Sequence, residues 1–496
     1  MVAKKLRVII ENDKIAKIEN SDTTSITING IENKYDGYIL PGIVDAHAHI
    51  IGLGENLNTV RLEKAKSKNH VLDMISKIQL NDGWITGRGW NEELWDDKKI
   101  SKEDLDNINS EVPIFLVRVD GHAAWVNSKA LELSNISKTT TDPDGGSILK
   151  DLYGNPNGLL LDNAMEIVRD NIPPRSIDLT KKYILDACNE CKKYGIVEVH
   201  DMDVHLEDLP AYKELDAENK IPIRLVQYIR GFDDEYKRHQ ARPFHGNNLI
   251  IKGLKFYADG ALGSRGALMI NNYNDMDTQG LELISVNDLT HKAEEGCKAG
   301  WDIAVHAIGD KANRNVLDAY EFIRSKGYTN ILRVEHSQLI NKDDLNRFNH
   351  LDVYASVQPI HCTSDKKIAI QRLGTDYKYP YPWNSLAKNG AKLIAGSDFP
   401  IESHNPFLGI DSFVNRIPIN EQESWQEEET ISIAESLDAY CYEPHNASGV
   451  GGNRNRLVVD NYANLCIVDH DFTDKSRIKS TKILATVSDG NPTNYL

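Results

Sequence analysis

The stretch that decides the fold is Pro41-Gly42-Ile43-Val44-Asp45-Ala46-His47-Ala48-His49. It is mostly apolar after Gly42, which predicts a buried strand. His47 and His49 are two residues apart, so a strand places both imidazoles on the same face. Two neutral imidazoles on one face can chelate a divalent metal ion such as zinc. The pair is weak evidence by itself, because two histidines at a strand end often only form hydrogen bonds.

Seven later segments have the same short, apolar character, and helical patterns separate most of them. They lie at residues 195–200, 221–228, 251–257, 302–306, 331–336, 353–357 and 392–398. Helices are predicted at about 178–193, 286–299 and 311–325, the last from apolar residues at helical spacing. Eight strands alternating with helices predict an α/β protein with a (β/α)8 TIM-like barrel.

The two chain ends are patterned differently from the middle. Short apolar runs with turn signals occur at residues 6–10, 15–18, 25–28, 457–459, 464–468 and 483–487. They predict a small β-sandwich domain built from residues 1–40 and 450–496, around a barrel domain at 41–449. Residues 56–176, after strand one, predict an inserted subdomain that could supply a lid and substrate contacts. The alternative is that the run at 112–120 is itself a barrel strand.

The composition limits the partners of this chain. The 496 residues carry a net charge of −17, from 57 basic and 74 acidic side chains, which argues against nucleic-acid binding. A small-molecule substrate fits this balance better, and a homo-oligomer remains open. Six scattered cysteines indicate a reducing compartment rather than a disulfide framework. Since no signal peptide or membrane span is evident, we expect a cytoplasmic protein without membrane contact.

Potential metal ligands recur at the ends of the predicted barrel strands. Lys255 ends strand four, His306 strand five, His336 strand six and Asp398 strand eight. Each has an ordinary alternative: a histidine can be a satisfied polar residue, an aspartate a turn residue or helix cap, and a lysine a solvated surface residue. In a barrel, however, the carboxyl ends of the strands gather at one mouth. The recurrence therefore favours a metal site that also includes the strand-one histidines.

The strand-one motif resembles the opening motif of the amidohydrolase superfamily. Further motifs resemble the amidohydrolase family 3 branch, which includes N-substituted formamide deformylases. These motifs lie at residues 120–128 (DGHAAWVNS), 255–267 (KFYADGALGSRGA), 306–310 (HAIGD), 335–338 (EHSQ) and 396–402 (GSDFPIE). The resemblance runs from about residue 37 to the C-terminus, and the branch is broad in substrate.

The resemblance implies a barrel with a split β-sandwich domain, and it implies ligand roles. His47, His49 and Asp398 would bind one divalent ion, and His306 and His336 a second. Zinc is the expected metal, with iron, manganese and nickel as alternatives.

Lys255 matches a strand-four lysine that, in many members of the family, is carboxylated by CO2 and bridges two metals. An unmodified ammonium would be repelled by the cations, whereas a carbamate offers an anionic oxygen ligand. Without this modification, a site with a single ion is the alternative.

The expected reaction is hydrolysis of a C–N bond in an amide, formamide or cyclic amide by a metal-activated water. Asp398 would accept the proton of the water and pass it to the leaving nitrogen. Candidate substrate-binding residues are His122, Arg265, Gln358 and His361. The alternatives are a structural salt bridge for Arg265 and a rim loop for Gln358 and His361.

Two other functions remain in competition. A mononuclear deaminase of the same superfamily usually lacks the strand-four lysine and has a His-x-x-Glu motif near strand five. Here Lys255 is present, and His306 is followed by Ala-Ile-Gly-Asp. A non-catalytic barrel that acts as a binding protein usually loses metal ligands, whereas this chain keeps all of them.

Overall fold

The computed structural model describes residues 3–78, 83–375, 377, 379–449 and 456–495. The chain divides into two compact units: Met1–Ile50 with Ala187–Leu496, and Ile51–Asp186. Residues 450–455 of the predicted sandwich segment lie outside the described residues. The predicted domain boundaries, 1–40 with 450–496, 41–449 and 56–176, stay predictions.

The described part of the chain contains strands throughout. In chain order they are β1 (Leu6–Glu11), β2 (Lys14–Asn20), β3 (Thr24–Ile28), β4 (Ile31–Tyr35), β5 (Tyr38–Pro41), β6 (Ile43–Ala48), β7 (Val60–Arg61), β8 (Ile85–Trp90), β9 (Ile114–Arg118), β10 (Ala123–Val126), β11 (Gly146–Lys150), β12 (Pro156–Asp162), β13 (Ile196–Val204), β14 (Arg224–Arg230), β15 (Phe244–His245), β16 (Leu249–Tyr257), β17 (Asp302–Ala307), β18 (Leu332–His336), β19 (Val353–Val357), β20 (Lys392–Ala395), β21 (Leu465–Val468), β22 (Ile483–Ser488) and β23 (Asn491–Asn494).

Helices connect most of these strands. They are α1 (Ile50–Asn58), α2 (Lys68–Ile75), α3 (Lys102–Asp106), α4 (Ser128–Leu133), α5 (Ala164–Arg169), α6 (Ile177–Lys192), α7 (Leu209–Ala217), α8 (Glu235–Arg238), α9 (Val286–Lys298), α10 (Asp310–Ser325), α11 (Arg347–His350), α12 (Pro359–Leu373), α13 (Trp383–Lys388), α14 (Pro406–Val414), α15 (Ile433–Leu437) and α16 (Glu443–Ala447). A π-helical turn, Asp438–Tyr442, joins α15 to α16.

Eight parallel strands form the barrel, in the order β6-β13-β14-β16-β17-β18-β19-β20, and the short β15 pairs antiparallel with β16. Two backbone hydrogen bonds join the first strand to the segment after the last one. The Asp398 amide donates to the His47 carbonyl at 2.7 Å, and the His49 amide donates to the Phe399 carbonyl at 2.9 Å. The predicted (β/α)8 barrel is confirmed, with each of the eight predicted strands in place.

Continuous apolar runs explain why these segments are barrel strands. Every residue of β6, β18 and β19 is buried. A parallel strand covered on both faces is apolar along its length rather than alternating, which is the pattern in the sequence. Polar residues of these strands are therefore informative, because each needs a specific partner inside the barrel.

Two four-stranded sheets enclose a second apolar core. One has the order β2-β1-β3-β4, and the other, β23-β22-β21-β5, pairs a strand before the barrel with strands after it. Their core includes Val8, Ile26, Leu465 and Val487. The strand predicted at 457–459 is wrong: Leu457 and Val458 have no regular secondary structure, Val459 lies in a turn, and both valines are exposed.

The unit Ile51–Asp186 contains a six-stranded sheet in the order β11-β12-β10-β9-β8-β7. The run at 112–120 forms β9 of this sheet, so the alternative that it is a barrel strand is wrong. Two apolar cores stabilise this unit, one around Trp90 and Trp125 and the other around Phe115 and Leu160.

Within the described residues, no helix has the length and apolar character needed to cross a membrane. All six cysteines are free and buried.

Candidate metal centre

The end of strand β6 presents two imidazoles to one carboxylate. The Nε2 atoms of His47 and His49 lie 3.6 Å and 3.1 Å from Asp398 Oδ1. The Nδ1 atom of each ring contacts a different acceptor. His47 Nδ1 lies 2.5 Å from Glu335 Oε2, and His49 Nδ1 lies 3.0 Å from the Met202 carbonyl oxygen. Both Nε2 atoms therefore face the same side, as expected for a His-x-His pair on a strand.

His306 on β17 and His336 on β18 complete a group of histidines. The ring centres of His306 and His336 are 4.3 Å apart, and those of His47 and His336 are 4.8 Å apart. His336 has a left-handed backbone with φ 74°. His306 Nε2 and His336 Nδ1 are buried without a hydrogen-bond partner among the described residues. His306 Nε2 lies 3.5 Å from Asp259 Oδ1. Buried ring nitrogens without a hydrogen bond fit a site that binds a ligand.

The donor set fits a divalent metal ion. One ligand atom each from His47, His336 and Asp398 lies within 4.8 Å of the others. Imidazole nitrogen and carboxylate oxygen are ordinary ligands of zinc and related ions. Three protein ligands with an open position are also typical of catalytic rather than structural zinc sites.

Lys255 on β16 is buried within the same region, with 1% of its surface exposed. Its Nζ atom lies 5.4 Å from the centre of the Tyr257 ring. Burial lowers the pKa of Lys255, although the negative charges of Glu335 and Asp398 oppose this effect. A buried amine near several carboxylates needs a chemical reason for its position, because burying a charge is costly.

Three of the histidines, His47, His306 and His336, have lowered pKa values and are therefore uncharged at neutral pH. Burial and the nearby charge of Lys255 lower the pKa of His47 to about 4 and that of His306 to about 3. Burial also lowers the pKa of His336 well below its ordinary value. Neutral imidazoles keep a lone pair for a metal.

Asp398 differs from these histidines because its charged form is favoured. Burial by itself would raise its pKa, but the hydrogen bond from His49 lowers the pKa of Asp398 well below its usual range. The carboxylate is therefore ionised at neutral pH. Its partner His49 is stabilised as a cation, since Asp398 outweighs burial and raises the pKa of His49.

Comparison with known proteins identifies the family. The model of the Amidohydrolase family matches residues 36–493. This chain belongs to the amidohydrolase family. The predicted family is confirmed, and so is the prediction of a hydrolytic enzyme. The alternative of a non-catalytic barrel is therefore not supported.

Relatives cover most of this amidohydrolase. YtcJ of Bacillus subtilis (strain 168), named as an amidohydrolase, is 32% identical over 86% of this chain and 81% of its own. The N-substituted formamide deformylase of Arthrobacter pascens is 24% identical over 91% of this chain and 87% of its own. The crystal structure of a metal-dependent hydrolase from Pyrococcus furiosus has a TM-score of 0.75 and 28% identity, and it covers 95% of this chain and 99% of its own.

Asp45 connects the first and last barrel strands of the amidohydrolase beside the ligands. Its carboxylate accepts hydrogen bonds from Ser397 Oγ at 2.6 Å, from the Ser397 amide at 3.0 Å and from the His47 amide at 3.2 Å. Gly396 is needed here, because a Cβ atom at this position would lie 2.3 Å from the His47 nitrogen. Asp45 and Gly396 thus fix the separation of His47 and Asp398.

Two of the four predicted substrate-binding residues lie near the ligands or at a strand end. His361 Nδ1 accepts a hydrogen bond from Gln338 at 3.1 Å, which leaves its Nε2 to carry the proton, 3.7 Å from Asp398 Oδ2. Gln358 directly follows β19 and is buried, and neither polar atom of its side chain has a partner among the described residues. Both side chains have hydrogen-bonding capacity to offer a ligand.

The other two predicted substrate-binding residues have different surroundings. The Arg265 guanidinium binds Asp275 through two hydrogen bonds of 3.0 Å and 2.8 Å. His122 belongs to the unit Ile51–Asp186, where its exposed ring lies 2.8 Å from Asp162 Oδ1. The structure does not bring Arg265 into contact with the ligands, and the substrate roles of both residues stay predictions.

Several residues around the ligands were not predicted from the sequence. Glu335 lies inside the quoted Glu-His-Ser-Gln motif, but no role was assigned to it. Arg230 and Asp203 form an ion pair at 2.8 Å at the ends of β14 and β13. A charged residue at the carboxyl end of each of two barrel strands was the available signal.

Proposed function

We propose that this protein is a metal-dependent hydrolase that cleaves the C–N bond of an amide, formamide or cyclic amide. The observation that carries the proposal is the convergence of His47, His336 and Asp398 ligand atoms within 4.8 Å. The relative named as an N-substituted formamide deformylase supports a C–N bond as the target. A small molecule is the substrate class of the family, and the net charge of −17 supports the expectation that nucleic acid is not a partner.

The ligand assignment that we propose uses all six predicted residues. His47, His49 and Asp398 would hold one ion, and His306 and His336 a second. Zinc suits these nitrogen and oxygen donors.

Lys255 decides between one ion and two. Because burial lowers the pKa of this lysine, more of it is the neutral amine that can add to CO2. The resulting carbamate would bridge the two ions, and an unmodified Lys255 corresponds to a single ion. The buried position of Lys255 also argues against the mononuclear deaminase, in which this lysine is usually missing.

The chemistry follows from the ionisation of the residues. A bound divalent ion lowers the pKa of a water molecule and polarises a carbonyl group. Asp398, ionised at neutral pH, accepts the proton of the attacking water and then gives it to the leaving nitrogen. The Nε2–H of His361 and the unpartnered amide of Gln358 would hydrogen-bond the substrate and orient its carbonyl group.

The state of the cysteines indicates the cellular compartment in which the protein works. All six are free and buried, which supports the proposal that the protein works in the reducing cytoplasm. Assembly into a homo-oligomer stays a proposal as well.

A metal and substrate screen tests the proposed function. The protein is stripped with a chelator, divided, and one half is reloaded with zinc. Both halves are assayed against N-formyl, N-acetyl and cyclic amides, with phosphate monoesters as a substrate class that the proposal excludes. We expect hydrolysis of at least one amide class by the reloaded half only. Equal amide hydrolysis by both halves, or hydrolysis of phosphate esters alone, would contradict the proposal.

A further inference from the structure

We propose that Glu335 is a positioning residue that fixes the tautomer and the orientation of His47, so that Nε2 of His47 is aimed at the metal before the metal arrives. The inference rests on the proposed function, since it takes His47 as a metal ligand. It goes beyond the ligand set, because Glu335 itself does not bind the ion.

The contact between the two side chains determines the tautomer. Glu335 Oε2 lies 2.5 Å from His47 Nδ1, and both side chains are buried, with 0% and 1% of their surfaces exposed. An ionised carboxylate can only accept a hydrogen bond, so Nδ1 must carry the proton. The lone pair of the neutral ring is then on Nε2, which faces Asp398 Oδ1 at 3.6 Å.

Arg333 prevents Glu335 from turning away. Its Nε atom lies 2.7 Å from Glu335 Oε1, and its Nη2 atom donates to Oε2 at 3.2 Å. Arg333 precedes Glu335 by two residues on β18, so both side chains project from the same face of the strand. The carboxylate is therefore held by an ion pair and one hydrogen bond from Arg333 on one side, and by the imidazole on the other.

Arg333 is in turn fixed by the neighbouring barrel strands. It is fully buried, and it donates to the Ala46 carbonyl at 2.6 Å and to Ser356 Oγ at 3.2 Å. Its Nη1 atom lies 2.7 Å from His200 Nδ1. Because Ala46 directly precedes His47 on β6, the same arginine binds both the backbone beside the ligand and the carboxylate that orients it.

A buried ion pair of this kind is poor evidence for stability, because desolvation of the two charges offsets their attraction. A role in orienting a ligand gives a better reason for its position. His49 provides the contrast, since its Nδ1 atom faces the neutral backbone carbonyl of Met202 at 3.0 Å. A charged acceptor increases the electron density on the distant nitrogen, so His47 should be the stronger ligand of the two.

Zinc affinity of the metal-free protein tests the inference, measured by competition with a chromogenic chelator. Glu335→Gln keeps the shape of the side chain and removes its charge, and we expect zinc to bind about 10–100-fold more weakly. The matched control is Glu429→Gln. Glu429 is also buried, and it accepts a hydrogen bond from the Ser385 amide at 2.9 Å; neither residue is a proposed ligand or a partner of Arg333. We expect this control to stay within about threefold of the wild type.

The outcomes separate the two proposals. Zinc affinity that falls in Glu335→Gln and not in Glu429→Gln supports the positioning role. Equal affinity of Glu335→Gln and the wild type would overturn that role alone, and so would an equal loss in both variants. A wild-type protein that takes up no zinc would overturn the proposed function together with this inference.

A second measurement needs no substitution at Glu335. In ¹⁵N spectra of histidine-labelled, metal-free protein, the signals of His47 are assigned by their loss in His47→Gln. We expect a protonated Nδ1 and an unprotonated Nε2 over the neutral pH range. A His47 ring with its proton on Nε2 would overturn the inference, whatever the stability of the Glu335 variants.

Discussion

At the scale of single residues, two of the proposed metal ligands have strained backbone conformations. His336 and Asp398 have left-handed conformations, with φ 74° and 61°. Each costs a residue with a side chain about 1–3 kcal/mol, and it persists only where the surroundings enforce it. His336 directly follows Glu335, and both approach His47, although successive side chains on a strand normally point to opposite faces. The strained backbone of His336 accounts for this departure.

Asp398→Asn tests the proton-transfer role of this residue. The amide cannot accept the proton of the water, so we expect kcat/KM for the best amide substrate to fall by about 10²–10⁴-fold. The thermal unfolding curve should stay close to that of the wild type. Asp352→Asn is the control, since this carboxylate is 69% exposed. Near-normal hydrolysis by Asp398→Asn would refute the role.

Asp201 predicts a specific dependence of stability on pH. Burial raises the pKa of this carboxyl group to about 6, although it accepts hydrogen bonds from Tyr212 and Gln227. In the unfolded chain an aspartate has a pKa of about 3.9. Between these values the folded protein holds a proton that the unfolded chain has released, so the contribution is present below about pH 4 and is lost as the pH rises through about 6.

The difference between wild type and Asp201→Asn isolates this effect. The variant cannot titrate at this position, so the wild type should lose about 2 kcal/mol of unfolding free energy relative to it between about pH 4 and pH 7. Urea unfolding with a constant excess of chelator provides the measurement and removes metal binding from the comparison. If the unfolding free energies of the two proteins change with pH in the same way over this range, the raised pKa of Asp201 does not contribute to the pH dependence of stability.

At the scale of elements, the closure of the barrel places ligands from its first and last strands together. β6 and the segment after β20 approach so closely that only a glycine fits at position 396. Asp45 and Ser397 join the same two segments through buried hydrogen bonds. The spacing of His47 and Asp398 therefore depends on a small residue and one carboxylate rather than on the ligands themselves.

Gly396→Ala tests this dependence. The added Cβ atom would lie 2.3 Å from the His47 backbone nitrogen, and that backbone is held within the barrel. We expect a loss of about 1–3 kcal/mol in unfolding free energy, together with weaker zinc binding. Gly263→Ala is the matched control, because the nearest atom to its added Cβ lies 3.9 Å away. If both variants unfold like the wild type, the barrel closure is looser than the structure indicates.

The strands of the barrel could be predicted from the sequence, but the side-chain contacts between distant strands could not. Continuous apolar runs are typical of strands buried on both faces, and all eight barrel strands have such runs. The run at 457–459 was misread because apolar composition does not show exposure, and Val458 is 51% exposed. Glu335 was missed because its function depends on a partner 288 residues earlier in the chain, and no local pattern reports such a contact.

At the scale of the whole molecule, the sequence predicted the family and the enzyme class from ordered motifs at strand ends. In the barrel, residues that are far apart in the sequence lie close together, because the carboxyl ends of parallel strands meet at one mouth. Residues outside the barrel are harder to assign. His122 belongs to a motif of the family, but it lies in the second compact unit, so its sequence position alone does not give its distance from the ligands.

Metal stoichiometry tests the central claim most directly. It is determined by mass spectrometry of the purified wild type, with His336→Ala measured in parallel under the same conditions. The account predicts about one to two divalent ions per chain in the wild type and the loss of most of this metal in the variant. A wild-type protein that contains no metal after purification and takes up none from excess zinc, iron, manganese or nickel would contradict it.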